Sequence, residues 1–183
     1  MWIKKGRLTF PDDECLTQGT KLMSRIARGV TKHSGTVVDG QNNTCWRYAD
    51  RDKPSRRTLR NPFKKPDFVA LEKDSQKEIV IRRASFVPCV FQVIESGATI
   101  GTIRMLSVFR NKYSISIDGA DSWTFHMPLY TILFFAESKS GAGVGVAVGP
   151  SQMEWSILLE PGVPQRPIVA ALSFIHTERY FYS

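Results

Sequence analysis

A unit of strand, tight turn and strand recurs every 22 residues through the middle of this chain. Val90-Phe91-Gln92-Val93-Ile94, the turn Glu95-Ser96-Gly97-Ala98, and Thr99-Ile100-Gly101-Thr102-Ile103-Arg104 make one copy. The next runs from Lys112-Tyr113-Ser114-Ile115-Ser116-Ile117 through Asp118-Gly119-Ala120-Asp121 to Trp123-Thr124-Phe125-His126. The preceding copy is Phe68 to Leu71, the polar turn Glu72 to Lys77, and Glu78 to Arg82. An earlier one reads Trp46-Arg47-Tyr48, a polar turn around Asp50 to Pro54, and Thr58-Leu59-Arg60; a later one reads Phe134 to Ala136, Glu137 to Gly141, and Val144 to Val148. Alternation such as Tyr113, Ile115 and Ile117 against Ser114 and Ser116 is the period-two pattern of a half-buried strand. Ser96-Gly97 and Asp118-Gly119 are turn dipeptides, because glycine tolerates the positive φ that tight hairpins demand. Five hairpins in one register predict an antiparallel meander, and about ten strands curl and close to remove their edges.

The C-terminal part departs from this pattern. Gln152 to Leu159 reads as one more strand, and Glu160-Pro161-Gly162-Val163-Pro164 ends it. Pro167 fits only the first turn of a helix, which then runs through Ile168 to Ile175 and on to Tyr180. Apart from Ser173, Ile168 to Ile175 is apolar all round, so it predicts a helix buried on every side there, with His176 beyond the buried part. It is too short to cross a bilayer, and a closed barrel has room for it through the middle. The stretch Gly141-Ala142-Gly143-Val144-Gly145-Val146-Ala147 alternates small residues with valine. Its small face predicts a wall lying close against that helix.

Hydrophobic residues make up 42% of the 183 residues, enough for a packed core and against general disorder. The net charge of +8 is concentrated early in the chain. Residues 47–65 carry eight basic and two acidic side chains, whereas residues 66–183 carry ten basic and eleven acidic ones. Such a block favours polyanions, whether phospholipid headgroups or nucleic acid, and equally suits a solvated loop. Arg60, Arg82, Arg104 and His126 fall at equivalent places in successive copies. They read either as charges at one level of the barrel wall or as a polar stripe for an anionic ligand.

Catalytic signatures are missing. The glycines of 141–149 do not make a dinucleotide fingerprint, since the position after Gly143 and Gly145 that must be glycine is Val148. His33, His126 and His176 share no metal-ligand spacing, and Cys15, Cys45 and Cys89 are too few and too scattered for a zinc site or a disulfide framework. Carboxylates such as Glu95, Asp118, Asp121 and Glu137 occupy hairpin turns, where turn formation explains them. The chain therefore reads as a non-enzymatic binding module that needs neither cofactor nor metal. Met1 to Arg7 has no apolar stretch of the signal-peptide kind, so a cytoplasmic setting is expected.

Hairpin repeats closing around a C-terminal apolar helix resemble the tubby C-terminal-like superfamily, which includes tubby-like proteins, phospholipid scramblases and LURP-one-related proteins with their bacterial relatives. The strand ends Ile100 to Arg104 and Glu78 to Arg82 carry the resemblance, with Leu159-Glu160-Pro161-Gly162-Val163 and Ile168 to Ile175. It implies a mainly β fold, a closed antiparallel barrel of about twelve strands around a buried C-terminal helix. One domain then spans 1–183: hairpin repeats and last strand over 46–165, the central helix over 166–181, and residues 1–45 completing the barrel. Tubby-like members bind phosphoinositides and scramblases act on phospholipids with calcium. The stretch matching the scramblase calcium segment, Glu160 to Arg166, has a single carboxylate here, against the six to eight oxygen ligands that calcium takes. The expected ligand is an anionic membrane lipid, met peripherally by Arg56, Arg57, Arg60, Lys64, Lys65, Arg82 and Arg104. A protein partner for a scaffold barrel and, less favoured, a nucleic acid are the alternatives.

Overall fold

The computed structural model describes residues 3–4, 7–8, 20–27, 34–51, 67–107, 112–127, 133–149 and 152–182. A short ladder pairs β1 (Ile3–Lys4) with β2 (Arg7–Leu8). The remaining strands are β3 (Thr20–Ile26), β4 (Ser34–Asp39), β5 (Thr44–Asp50), β6 (Phe68–Glu72), β7 (Glu78–Ser85), β8 (Val90–Glu95) and β9 (Ala98–Ser107). They continue with β10 (Lys112–Ile117), β11 (Ser122–His126), β12 (Leu133–Glu137), β13 (Gly143–Val148) and β14 (Glu154–Leu159), and one helix, α1 (Gln165–Tyr182), ends the chain. All twelve strands from β3 onward form one antiparallel sheet in the order β11-β10-β9-β8-β7-β6-β5-β4-β3-β14-β13-β12.

The sheet is a meander whose ends are joined by the late strand β14, which pairs with both β3 and β13. Its two outer members, β11 and β12, lie side by side and bring the barrel to near closure. Across that seam the Trp123 indole N–H donates to the Ala142 carbonyl (2.9 Å), and the Ser140 N–H donates to Asp121 Oδ2 (2.8 Å). Hydrogen bonds from the Ser140 hydroxyl and N–H, and one from Ser138, hold the Asp121 carboxyl below its ordinary range.

Alternation places the core as expected. Tyr113, Ile115 and Ile117 are buried, as are Trp46 and Tyr48 on β5 and Ile79 and Ile81 on β7. The repeat also explains why the sheet closes. Arg82 faces Gln92, which faces Thr102, yet the residue 22 positions after Arg82 is Arg104. Each hairpin is thus displaced by two residues along its neighbour, the stagger that tilted strands need to close into a barrel.

Two expectations are corrected. No hairpin joins Trp46-Arg47-Tyr48 to Thr58-Leu59-Arg60, because β5 pairs directly with β4 on one side and β6 on the other. The copy that precedes β6–β7 is β4–β5, and residues 58–60 lie outside the described residues. The small face of β13 also does not line the helix. Val144 and Val146 point into the core, while Gly145 faces Phe135 across the pair, and a Cβ on Gly143 would fall within 2.9 Å of the Phe135 ring and 2.7 Å of Glu160 Oε2. Glycine there makes room on the outer wall for an aromatic ring and a carboxylate.

Helix α1 begins one residue before and ends one residue after the expected 166–181, with Pro167 in its first turn. Every residue from Ile168 to Thr177 is buried. Strands from around the barrel supply its neighbours. Phe174 lies between Phe68 of β6 (5.5 Å between ring centres) and Phe91 of β8 (4.7 Å). His176 stacks on Trp155 of β14 (4.4 Å), and the Arg179 guanidinium sits over Phe134 of β12 (4.9 Å). At the start of the helix Arg166 bridges Glu72 (3.0 Å) and Glu95 (2.6 Å), tying it to the ends of β6 and β8. The helix is the core of the barrel, and its direction fixes two ends: hairpin turns beside its N-terminus, connecting loops beside its C-terminus.

Candidate functional site

Position along the strands sorts the ionisable residues by end. In the turn-end half the described residues include nine acidic positions (Asp39, Glu72, Asp74, Glu78, Glu95, Asp118, Asp121, Glu137 and Glu160) and six basic ones. In the loop-end half they include seven basic positions (Arg25, Arg51, Arg82, Arg83, Arg104, Lys112 and Arg179) and four acidic ones. The connections 28–33, 52–66 and 108–111 join strand ends at the loop end. Their sequences carry nine basic residues and one acidic residue, a surplus equal to the whole net charge of +8. A polarity of this kind orients a molecule in an external field.

Of the residues singled out from the sequence, Arg56, Arg57, Arg60, Lys64 and Lys65 lie outside the described residues. Their segment leaves the sheet at Arg51 and returns at Asp67, whose carbonyl accepts the Arg51 N–H (2.8 Å). Arg82, Arg104 and His126 are exposed on β7, β9 and β11, at one level because of the stagger. Arg82 holds Asp67 in a two-pronged pair, Nε to Oδ1 at 3.0 Å and Nη2 to Oδ2 at 2.7 Å. That guanidinium keeps the Asp67 carboxyl below its ordinary range. Arg82 therefore braces the edge of the basic connection, whereas Arg104 has no ion pair among the described residues.

The turn-end carboxylates do local structural work. Glu72 and Glu95 anchor Arg166, and Glu160 accepts the Gly143 N–H (2.7 Å). Asp39 accepts the N–H groups of Gln41 (2.8 Å) and Asn43 (2.9 Å), and bonds from Asn43 lead in holding its carboxyl low. An open groove of about 480 Å³ lies beside this turn, lined by Asn42, Asn43, Thr44, Arg47, Leu71, Lys73 and Gln76. Among the described residues no three His, Cys, Asp or Glu side chains gather as metal ligands would.

One buried polar cluster escaped the sequence reading, which set His176 beyond the buried part of the helix. His176 is fully buried; its Nδ1 lies 3.0 Å from Ser24 Oγ and its Nε2 2.9 Å from the Gln152 carbonyl. A carbonyl only accepts, so Nε2 carries the proton and the Ser24 hydroxyl donates to Nδ1. Tyr48 Oη lies 3.1 Å from Ser24 Oγ and donates to the Arg25 carbonyl (3.1 Å). Its close approach requires glycine at position 35, where a Cβ would lie 2.3 Å from the Tyr48 hydroxyl. A serine beside a histidine suggests a nucleophile, but Ser24 is sealed from solvent, and the trio latches the helix to β3.

Comparison with known proteins returns no matching family model, no matching curated protein and no matching solved structure. No helix among the described residues is long and apolar enough to cross a membrane.

Proposed function

We propose that this chain is a tubby-like, non-enzymatic module that docks on anionic phospholipid headgroups with the loop end of its barrel. It works as a peripheral protein on the cytoplasmic face of a membrane. The charge polarity carries this reading: the surplus of +8 belongs to connections that join strand ends at one end, while at the other end the described residues include more acidic than basic positions. Basic residues within a Debye length of an anionic surface contribute about 1 kcal/mol each. Four to six acting together give an attraction that salt weakens. Arginine meets phosphate through two parallel N–H bonds and lysine as a point charge, so a segment with both adapts to mixed headgroups.

Co-sedimentation with vesicles tests it. The wild-type protein is expected to sediment with vesicles of phosphatidylcholine and phosphatidylserine, and to stay in solution with phosphatidylcholine alone. Replacing Arg56, Arg57, Lys64 and Lys65 together by alanine is expected to weaken binding at physiological salt by about a hundredfold or more. Equal competition by an oligonucleotide would reduce the attraction to that of any polyanion. Failure to sediment with either vesicle at low salt would contradict the proposal and turn attention to a protein partner.

A further inference from the structure

Three large apolar side chains stand exposed among the described residues: Phe86 (46%), Val87 (85%) and Leu106 (51%). All three lie at the loop end. Phe86 and Val87 occupy the turn between β7 and β8, and Leu106 is near the end of β9, the next strand. The Met105 N–H donates to the Cys89 carbonyl (3.0 Å), so Leu106 adjoins the turn and the three form one apolar tip.

The tip has a built support. The Arg83 guanidinium carbon sits 5.3 Å from the centre of the Phe86 ring and 5.2 Å from that of Phe91, which is a core residue in contact with the helix. Arg83 also donates toward Cys89 Sγ (3.8 Å), and the Ser85 hydroxyl donates to the Pro88 carbonyl. A held turn keeps its apolar side chains in water, which is unfavourable unless a partner covers them. Arg83 lies just beneath the tip, and Arg82 and Arg104 are exposed on the flanking strands. Apolar groups ahead of a cationic collar match the depth profile of an anionic bilayer, with acyl chains below phosphate.

We infer that Phe86, Val87 and Leu106 insert below the headgroups of an anionic bilayer while Arg83 and Arg104 meet the phosphates. The inference rests on the docking reading above and adds what charge alone does not supply: a fixed orientation, and an attraction that salt does not screen. Charge complementarity selects this occupant, since Arg83 and the exposed Arg104 make the collar beneath the tip cationic.

The test uses the full chain and vesicles of phosphatidylcholine and phosphatidylserine. Val87→Asp with Leu106→Asp is expected to bind about tenfold more weakly than wild type, and to lose the part of binding that persists in high salt. Both positions are more than half exposed, and near-UV circular dichroism checks that the variant is folded. In parallel, Val87→Trp is expected to be quenched by bromine on the acyl chains, beyond the quenching of wild type measured alongside, in which Trp46, Trp123 and Trp155 are buried and Trp2 lies outside the described residues. Vesicle binding that the double Asp variant retains in full, with no added quenching of Val87→Trp, would overturn insertion and leave docking by charge intact. Absence of wild-type binding to these vesicles would overturn both, and the tip would then belong to a protein interface.

Discussion

Replacing Phe174 by alanine is expected to lower the stability of the barrel by about 4 kcal/mol, measured as a shift of the urea midpoint at constant slope. The ring is 5% exposed and lies between Phe68 and Phe91, on strands on either side of β7. Removing it takes away burial and both aromatic contacts, and leaves a void between helix and wall. The wall is hydrogen-bonded strand to strand and does not collapse easily into that space, which sets the cost toward the upper part of the usual range. A loss under about 1 kcal/mol would contradict a helix packed within the barrel.

Acid is expected to weaken the fold through His176, in a window separate from that of the carboxylates. Burial pushes the His176 pKa down to about 4 from an ordinary 6.5, and the nearby Arg179 charge acts in the same direction. The bond to the Gln152 carbonyl opposes them. The unfolded chain takes up the proton near pH 6.5 and the folded one resists it until about 4. The stabilising contribution is therefore full above pH 6.5 and is lost as pH falls toward 4, amounting to on the order of 3 kcal/mol. Asp39, Asp67 and Asp121, all held low, lose their contributions at still lower pH. His176→Asn removes the titrating group, so its stability is expected to vary much less between pH 6.5 and 4. An unchanged slope in that variant, followed by urea denaturation across the range, would show that His176 is not the proton acceptor.

The barrel was legible because its strands alternate cleanly. Where one face is apolar and the other polar, as in Tyr113 to Ile117, periodicity alone places the core. It was silent on β13, whose faces are glycine with alanine and valine: neither is polar, so the pattern does not say which turns inward. The valines did, because a helix in the barrel needs apolar volume around it. The copy read over Trp46 to Arg60 failed as a hairpin because β4 and β6 already supply both partners of β5. His176 was misplaced for a different reason. Histidine reads as polar in a sequence, and only the fold brings Ser24 and the Gln152 carbonyl to its two nitrogens.

Charge was legible as composition and not as geometry. The run from Arg47 to Lys65 is evident in the chain, but Arg47 itself lies in the acidic half, beside the groove with Lys73. Arg82, grouped with the binding residues, is occupied by Asp67. The polarity between the two ends emerges only after the register assigns each strand end to one side. Likewise the apolar tip gives no signal in Phe86-Val87-Pro88, which looks like any short link until its exposure is known.

Hydrogen exchange of the full chain, with and without anionic vesicles, reports which end of the barrel the membrane covers. Docking by the loop end predicts slowed exchange in 84–92, 104–112 and 52–66, with no change in the hairpin turns at 72–78, 95–98 and 118–122. Slowing confined to those turns, or shared equally by both ends, would contradict it.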